Sequence, residues 1–314
     1  MVFMELVTIG EIEAAVTAIA GTAVRTPLLP SPWADADRLL WLKPENLQPV
    51  GSFKIRGARN AIRPGVPGVV THSSGNHGLA VSYVASRLGI PVIIVAPDTT
   101  PEVKLAAMRD SGATVLTVPP EERLIRAEGV AAARGYPIIP PFDHRDVIAG
   151  QGTIGHEIAT DLPGVRVVLV PVSGGGLASG VGTAIRALAP QATILGVEPE
   201  LAADAAESLR AGRIVAWPVA DVQRTIADGL RNPSLSDLTF AHLRTVLDGI
   251  ITVTEEEIRA AMGVLARRSR LVAEPSGAVA TAAYLYHREE MPTGDTVAIV
   301  SGGNVDPALL KSVV

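Results

Sequence analysis

Residues 167–177 read Val167-Val168-Leu169-Val170-Pro171-Val172-Ser173-Gly174-Gly175-Gly176-Leu177, an apolar run, a break and the opening of a helix. Backbone N–H groups at a helix N-terminus, freed of side chains by glycine, form a phosphate cradle. A tight strand-to-helix turn is the plainer alternative. The spacing matches neither G-x-x-x-x-G-K-[ST] nor a clean G-x-G-x-x-G.

The same alternation extends in both directions. Upstream, the short β-branched runs Val69–Thr71, Val92–Val95 and Thr114–Val118 are followed by helical patterns over 76–88, 101–111 and about 121–134. Downstream of Arg166–Pro171 come 177–189, Thr193–Val197, roughly 200–211, Ile250–Val253, 255–270, 275–288 and Thr296–Val300. Strands alternating with helices imply parallel sheets covered by helices on both faces. The expected fold is therefore α/β, with two open twisted parallel-sheet domains. Pro64-Gly65-Val66-Pro67-Gly68 is the clearest breaker cluster, and the irregular stretch Tyr136–Asp143 returns the chain. These suggest a large domain of residues 1–67 and 145–314 and a small one of 68–144. Ligands in such folds sit at the carboxyl ends of strands. Nearly every strand here ends in Gly, Ser, Asn, Pro or Asp.

Composition narrows the function. At 314 residues, 47% hydrophobic and 19% charged, the chain has the make-up of a packed globular protein. A net charge of −5 without blocks of like charge gives no reason to expect nucleic acid or an anionic membrane. There is no cysteine, which excludes disulfides, thiolate catalysis and thiolate metal sites. Thr8-Ile9-Gly10-Glu11 reads as a capping box rather than a leader segment. No apolar run reaches the length of a membrane span. A soluble, cytoplasmic protein is expected.

Three further stretches carry chemistry. Lys54 lies in Ser52-Phe53-Lys54-Ile55-Arg56-Gly57, between an aromatic and an aliphatic residue. A lysine desolvated there loses its charge readily and can form a Schiff base with an aldehyde. The alternative is a surface lysine on a short amphipathic helix. Ser301-Gly302-Gly303-Asn304 ends the last strand, where a serine hydroxyl can meet a ligand nitrogen. Glu198 ends the strand after the glycine loop, close to where a dinucleotide site holds its ribose-binding acid. On that ground a nicotinamide-dependent oxidoreductase is the rival reading.

Taken together, these pieces carry a resemblance. Lys43-Pro44-Glu45-Asn46-Leu47-Gln48, Gly51-Ser52-Phe53-Lys54-Ile55-Arg56-Gly57-Ala58 and Thr71-His72-Ser73-Ser74-Gly75-Asn76-His77-Gly78 occur in order. Ile148-Ala149-Gly150-Gln151-Gly152-Thr153, the glycine loop, Gly196-Val197-Glu198-Pro199, Ala227-Asp228-Gly229, Glu274-Pro275-Ser276-Gly277-Ala278 and Ser301-Gly302-Gly303-Asn304-Val305-Asp306 follow. From about Arg25 to Asp306 the chain resembles the fold-type II pyridoxal-phosphate enzymes of the serine/threonine dehydratase and serine racemase family.

The resemblance implies a pyridoxal-phosphate cofactor in the cleft between two domains, and a lyase releasing water and ammonia from a small hydroxy amino acid. Lys54 would hold the cofactor aldehyde, with Phe53 beside the ring and Asn76 at its 3′-oxygen. Ser173, Gly174, Gly175, Gly176 and Leu177 would bind the phosphate, and Ser301 the pyridine nitrogen. A neutral serine stabilises a charged ring poorly, which favours prompt elimination over transamination. Ser73, Ser74, Asn76 and His77 would receive the substrate carboxylate; for His77 the alternative is a structural histidine. In racemases of the family a serine at the position of Ser74 faces Cα opposite the lysine, and inversion needs an acid/base group on each face. Carboxylate binding alone is the other role for Ser74. Glu198, Ala202 and Asp204 match the family's divalent-cation site, whose oxygen donors suit Mg²⁺, Ca²⁺ or Mn²⁺. Two solvated acids at a helix start are the alternative. The family is commonly dimeric, so a homodimer is expected. A chain of this length has no room for the regulatory domain of biosynthetic threonine deaminases. Two positions depart from the pattern. Leu79 replaces the usual Gln, an expected change to the pocket. The arginine that reaches the substrate in racemases could be Arg123 or Arg126, or be missing.

Overall fold

The computed structural model describes residues 5–73, 75–100 and 102–314. In chain order it contains α1 (Ile9–Ile19), β1 (Leu29–Pro30), β2 (Leu40–Pro44), α2 (Lys54–Ala61), β3 (Val69–Thr71), α3 (Asn76–Leu88), β4 (Val92–Pro97), α4 (Glu102–Asp110), β5 (Thr114–Val118) and α5 (Arg123–Arg134). Then come α6 (Arg145–Asp161), β6 (Val167–Pro171), α7 (Gly176–Leu188), β7 (Thr193–Pro199), α8 (Asp204–Ala211), α9 (Val219–Val222), α10 (Asp237–Val246) and β8 (Gly249–Val253). The chain closes with α11 (Glu255–Val264), α12 (Pro275–Tyr286), β9 (Thr296–Val300) and α13 (Pro307–Val313).

The strands form two sheets. The larger has the order β1-β2-β9-β6-β7-β8 and the smaller β3-β4-β5. Every pairing is parallel except the short antiparallel edge of β1 on β2. In the larger sheet the side chains alternate between two cores. Val167, Leu169, Val197, Ala298 and Val300 pack with α11 and α12, while Val168, Val170, Ile194, Val297 and Ile299 pack with α6, α7 and α10. Burial on both faces explains why β6 reads as an unbroken apolar run. The smaller sheet packs Val69, Val92 and Ile94 against α2 and α3, and Val70, Ile93 and Val95 against α5.

β9 lies between β2 and β6. Because these strands are parallel, the segments after β2, β6, β7 and β9 leave by the same edge. Glu45, Ser173, Glu200 and Ser301 therefore start from one rim, which is where a crevice forms in such sheets.

Several elements were not evident in the sequence, α6, β2 and α10 among them. Helix α6 carries Gly150, Gly152 and Gly155, which look like breakers. Glycine costs a helix roughly 0.5–1 kcal/mol per residue, and here it allows close packing instead. A Cβ on Gly150 would come within 2.6 Å of the Arg56 carbonyl, one on Gly152 within 2.9 Å of the Gly180 carbonyl, and one on Gly155 within 2.5 Å of the Val181 carbonyl. Strand β2 is obscured by Lys43 and Pro44. Helix α10 is set by a capping box, Ser236 with Thr239. The Thr8–Glu11 capping box does open α1, as expected.

Candidate functional site

Lys54 is the first residue of α2. The residue is half-buried, yet its amine is withdrawn from water and donates to the Pro141 carbonyl at 2.7 Å. Burial pushes its pKa down to about 8. At pH 7 roughly 9% of the amine is then neutral, about 300-fold more than for an ordinary lysine. The amine also lies 5.0 Å from the centre of the Phe53 ring. Thus the surface-lysine alternative does not hold.

The neighbours of Lys54 lead to the glycine loop. Phe142 follows Pro141; its ring lies where a Cβ on Gly174 would be, and its Cβ and backbone crowd the place of a Cβ on Gly176. Gly175 has φ +88°, a left-handed conformation that favours glycine, and a Cβ there would meet Thr239 at 2.8 Å. Helix α7 opens with no side-chain cap, so the amides of its first turn face outward without intrahelical partners. Ser173 Oγ accepts from the Asn232 amide at 3.2 Å. A loop that only turned the chain would leave those amides unused. An anion such as phosphate satisfies them.

Phe53 donates its amide to the Ser301 carbonyl at 3.1 Å, and Ser52 bridges Gly302, so the end of β9 abuts the start of α2. Ser301 is buried, its hydroxyl donating to the Ser276 carbonyl at a long 3.2 Å. To donate to a ring nitrogen that hydroxyl must leave a weak bond. Asn76 opens α3; its amide donates to Glu274 at 2.7 Å, and its oxygen accepts from Asn304 at 2.8 Å. Burial, with the negative charge of Asp228 added, pushes Glu274 up to about 8. Glu274 and Asn304 belong to motifs quoted above, but spacing alone gave them no role.

The other substrate-side residues divide. Helix α3 also starts without a side-chain cap. Ser73 accepts weakly from the Gly75 amide at 3.5 Å, and its carbonyl packs so close to Gly78 that a Cβ there would collide. Ser74 lies outside the described residues. The His77 ring is buried, with Nε2 at 2.9 Å from the Ile139 carbonyl. Burial, with Lys54 nearby, pushes it down to about 3, so the ring is neutral. Its side chain takes the structural position. Leu79 packs on the core of the smaller sheet, so its effect on the pocket is indirect. Arg126 is exposed, whereas Arg123 is half-buried and its Nε has no hydrogen-bond partner among the described residues. Burial and the charge of Arg123 both lower His72, and the charges of His72 and Lys54 both reach His77.

Glu198 and Asp204 come together at the end of β7. Glu198 is fully buried and accepts from the amides of Ala205 at 3.2 Å and Ala206 at 2.8 Å. Those bonds commit its carboxylate to the start of α8, which counts against a ribose-binding role. Asp204 is buried with neither carboxylate oxygen partnered among the described residues. Burial raises both groups, Glu198 well above the usual carboxylate range with Asp204 contributing, and Asp204 to about 7. They are not solvated acids. Among the described residues no three His, Cys, Asp or Glu side chains converge as a metal site. A set of two carboxylates and the Ala202 carbonyl is nevertheless a donor set that a hard cation would neutralise.

Known proteins give the same picture. The chain is 39% identical to L-threo-3-hydroxyaspartate ammonia-lyase of Saccharomyces cerevisiae, over 95% of this chain and 94% of that one. It is 36% identical to serine racemase of Schizosaccharomyces pombe, over 96% and 95%. The crystal structure of the threonine deaminase of T.th. superposes with a TM-score of 0.89 at 42% identity, covering 95% of this chain and 99% of that one. Residues 19–302 match the family model described as pyridoxal-phosphate dependent enzyme. With a desolvated lysine beside an uncapped glycine-rich helix start, and with relatives matched along nearly their whole length, the chain belongs to the pyridoxal-phosphate-dependent enzymes of this family.

Proposed function

We propose that the protein is an ammonia-lyase that eliminates water from a small β-hydroxy amino acid, giving a 2-oxo acid and ammonia. The observation that carries this reading is the Lys54 amine, pushed down to about 8 and bonded to the carbonyl of Pro141, whose neighbour Phe142 packs its ring on Gly174 of the glycine loop. Bound pyridoxal phosphate supplies an aldehyde carbon for the amine and a ring that draws electrons from Cα. Lys54 would anchor that aldehyde, and its neutral Nζ would take the Cα proton of the substrate. The amides from Ser173 to Leu177 hold the phosphate, Asn76 holds the 3′-oxygen, and Ser301 offers a neutral partner to the ring nitrogen. Ser73, Ser74, Asn76 and the amide of His77 receive the substrate carboxylate. Purified holoenzyme should release 2-oxo acid from L-serine, L-threonine or 3-hydroxyaspartate, and Lys54→Ala should abolish it. Substantial turnover by that variant would sink the scheme.

Two refinements have their own support. Arg123, half-buried with its Nε unpartnered among the described residues, favours a substrate with a second carboxylate, as in 3-hydroxyaspartate. Ser74, in the Ser73-Ser74-Gly75-Asn76 motif, supports racemase activity beside elimination. We also place a divalent cation on Glu198, Asp204 and the Ala202 carbonyl, supported by the unpartnered Asp204 oxygens. A division into 1–67 with 145–314 and 68–144 is part of the same proposal, supported by the separate sheet of β3, β4 and β5. A homodimer follows from the family expectation and is checked by sedimentation.

A further inference from the structure

The catalytic lysine sits on an element that cannot hold itself. Helix α2 has eight residues and no side-chain cap at its N-terminus. A helix that short is marginal alone, and its first turn frays most easily. Lys54 is the first residue of that first turn.

Two residues on, Arg56 is fully buried and held by two carboxylates at once. Its Nε and one Nη lie 2.8 Å from the two oxygens of Glu45; its two Nη atoms lie 2.6 and 2.9 Å from those of Glu157. Both pairs are bidentate, the geometry that only guanidinium provides. Lys43, also fully buried, donates to Glu157 at 2.5 Å and to the Thr26 carbonyl at 2.6 Å. The Thr26 hydroxyl donates to Glu45 at 2.6 Å, Gln48 adds a bond to Glu45 at 3.0 Å, and Thr153 accepts from Arg56 at 3.1 Å. Two cations and two anions balance, so the cluster imposes no net charge. Burial alone would raise Glu45; the Arg56 guanidinium outweighs it and holds the carboxyl below its usual range.

The quartet joins β2, the turn after it, α2 and α6. The same face of α2 touches α6 elsewhere: the Gly57 amide donates to Gln151 at 3.1 Å, and Asn60 donates to the Asp146 carbonyl at 2.7 Å. A buried ion cluster is weak evidence for stability, because apolar residues of equal volume often serve as well. Its distinctive property is direction, since each bidentate pair fixes a plane.

We propose that the buried Lys43–Glu45–Arg56–Glu157 quartet is the positioning device that fixes where the Lys54 amine points, with Arg56 as its central positioning residue. It acts through the backbone of α2 and touches neither cofactor nor substrate. The proposal rests on the reading of Lys54 as the cofactor anchor.

The test is Arg56→Lys, which keeps the charge and loses the bidentate planes. Two readouts separate positioning from mere stability. In the holoenzyme, kcat should fall about 100-fold with KM within about two-fold, as a misplacement near 1 Å gives. In cofactor-free protein, the rate of borohydride-stable cofactor capture at Lys54 should rise with pH around a midpoint of about 8 in the wild type, and that midpoint should move up in Arg56→Lys as the amine regains water. If Arg56→Lys does not fold, Thr26→Val leaves all four charges and removes one bond to Glu45; it should move both readouts in the same direction by less. Wild-type kcat and midpoint in a folded Arg56→Lys, or in Thr26→Val where Arg56→Lys is unfolded, would overturn the proposal even if thermal stability had dropped. Failure of the wild type to capture cofactor at Lys54 would instead overturn the underlying reading of the lysine.

Discussion

Replacing Lys54 by methionine should stabilise the cofactor-free protein at neutral pH. The amine falls from the ordinary 10.5 to about 8 because burial removes its hydration. At 1.36 kcal/mol for each pH unit, that gap is worth at most about 3 kcal/mol. The sign follows from proton counting. Between pH 8 and 10.5 the unfolded chain keeps a proton that the folded chain has released, so stability rises with pH across that window. Below pH 8 the whole penalty is present. Methionine has a similar shape and no charge to desolvate, and it forfeits the bond to the Pro141 carbonyl, worth about 1 kcal/mol. Lys54→Met should therefore exceed the wild type by about 2 kcal/mol at pH 7, with the advantage gone near pH 10.5. Urea titrations of both cofactor-free proteins at pH 7, 9 and 10.5 measure the difference directly. Equal stability at pH 7, or a difference indifferent to pH, would refute the view that the active amine is held desolvated at a cost to the fold.

Other expectations concern the rest of the site. Ser74→Ala should spare elimination from the L-substrate while removing racemisation, read as 2-oxo acid and as D-enantiomer; equal loss of both would count against a second base. Gly175→Ala forces a left-handed backbone and a contact with Thr239, so stability should fall by about 2–4 kcal/mol and cofactor affinity with it. Arg123→Leu should reduce kcat/KM for 3-hydroxyaspartate about 10- to 100-fold more than for threonine, the scale of a lost charged hydrogen bond; equal effects would remove Arg123 from the substrate. Added Mg²⁺ or Ca²⁺ should raise the melting temperature of the wild type, and Glu198→Gln should abolish that response; a metal-independent melting temperature would leave the Asp204 carboxylate without its proposed partner.

Much of this architecture could be read from residue order, because parallel strands buried on both faces leave apolar runs that turn residues punctuate. Val69–Thr71 and Thr296–Val300 match their strands residue for residue. What escaped reading was packing that contradicts local preference. Helix α6 contains three glycines because backbones approach it, and no local signal separates that use from a turn. The penultimate residue of strand β2 is a lysine whose charge is cancelled by Glu157, a residue 114 positions away. The candidate site divides in the same manner. Lys54, the glycine loop and Ser301 are legible because each sits at a strand end or helix start. The roles of Pro141, Phe142 and Glu274 depend on contacts between segments far apart in the chain. Glu198 shows the limit most plainly: its spacing suited a ribose-binding acid and the resemblance suited a cation ligand, while the bonds of its carboxylate to the Ala205 and Ala206 amides had no signal in the sequence.

The placement of β9 has a consequence for how the protein is made. In order of synthesis it is the last strand among the described residues, yet it lies between β2 and β6 and contributes Ser301 to the site. At 5–20 residues per second, roughly ten to fifty seconds separate the appearance of β2 from that of β9. During that interval β2 has only the short β1 beside it, and β6 presents an unpaired edge. Open edges of this kind invite pairing with another chain. Lys43 and Pro44 on β2 lower that risk, a charge and a missing amide on the strand that waits longest. The rim that carries Ser301 is thus complete only once Val297 and Ala298 pair with both β2 and β6.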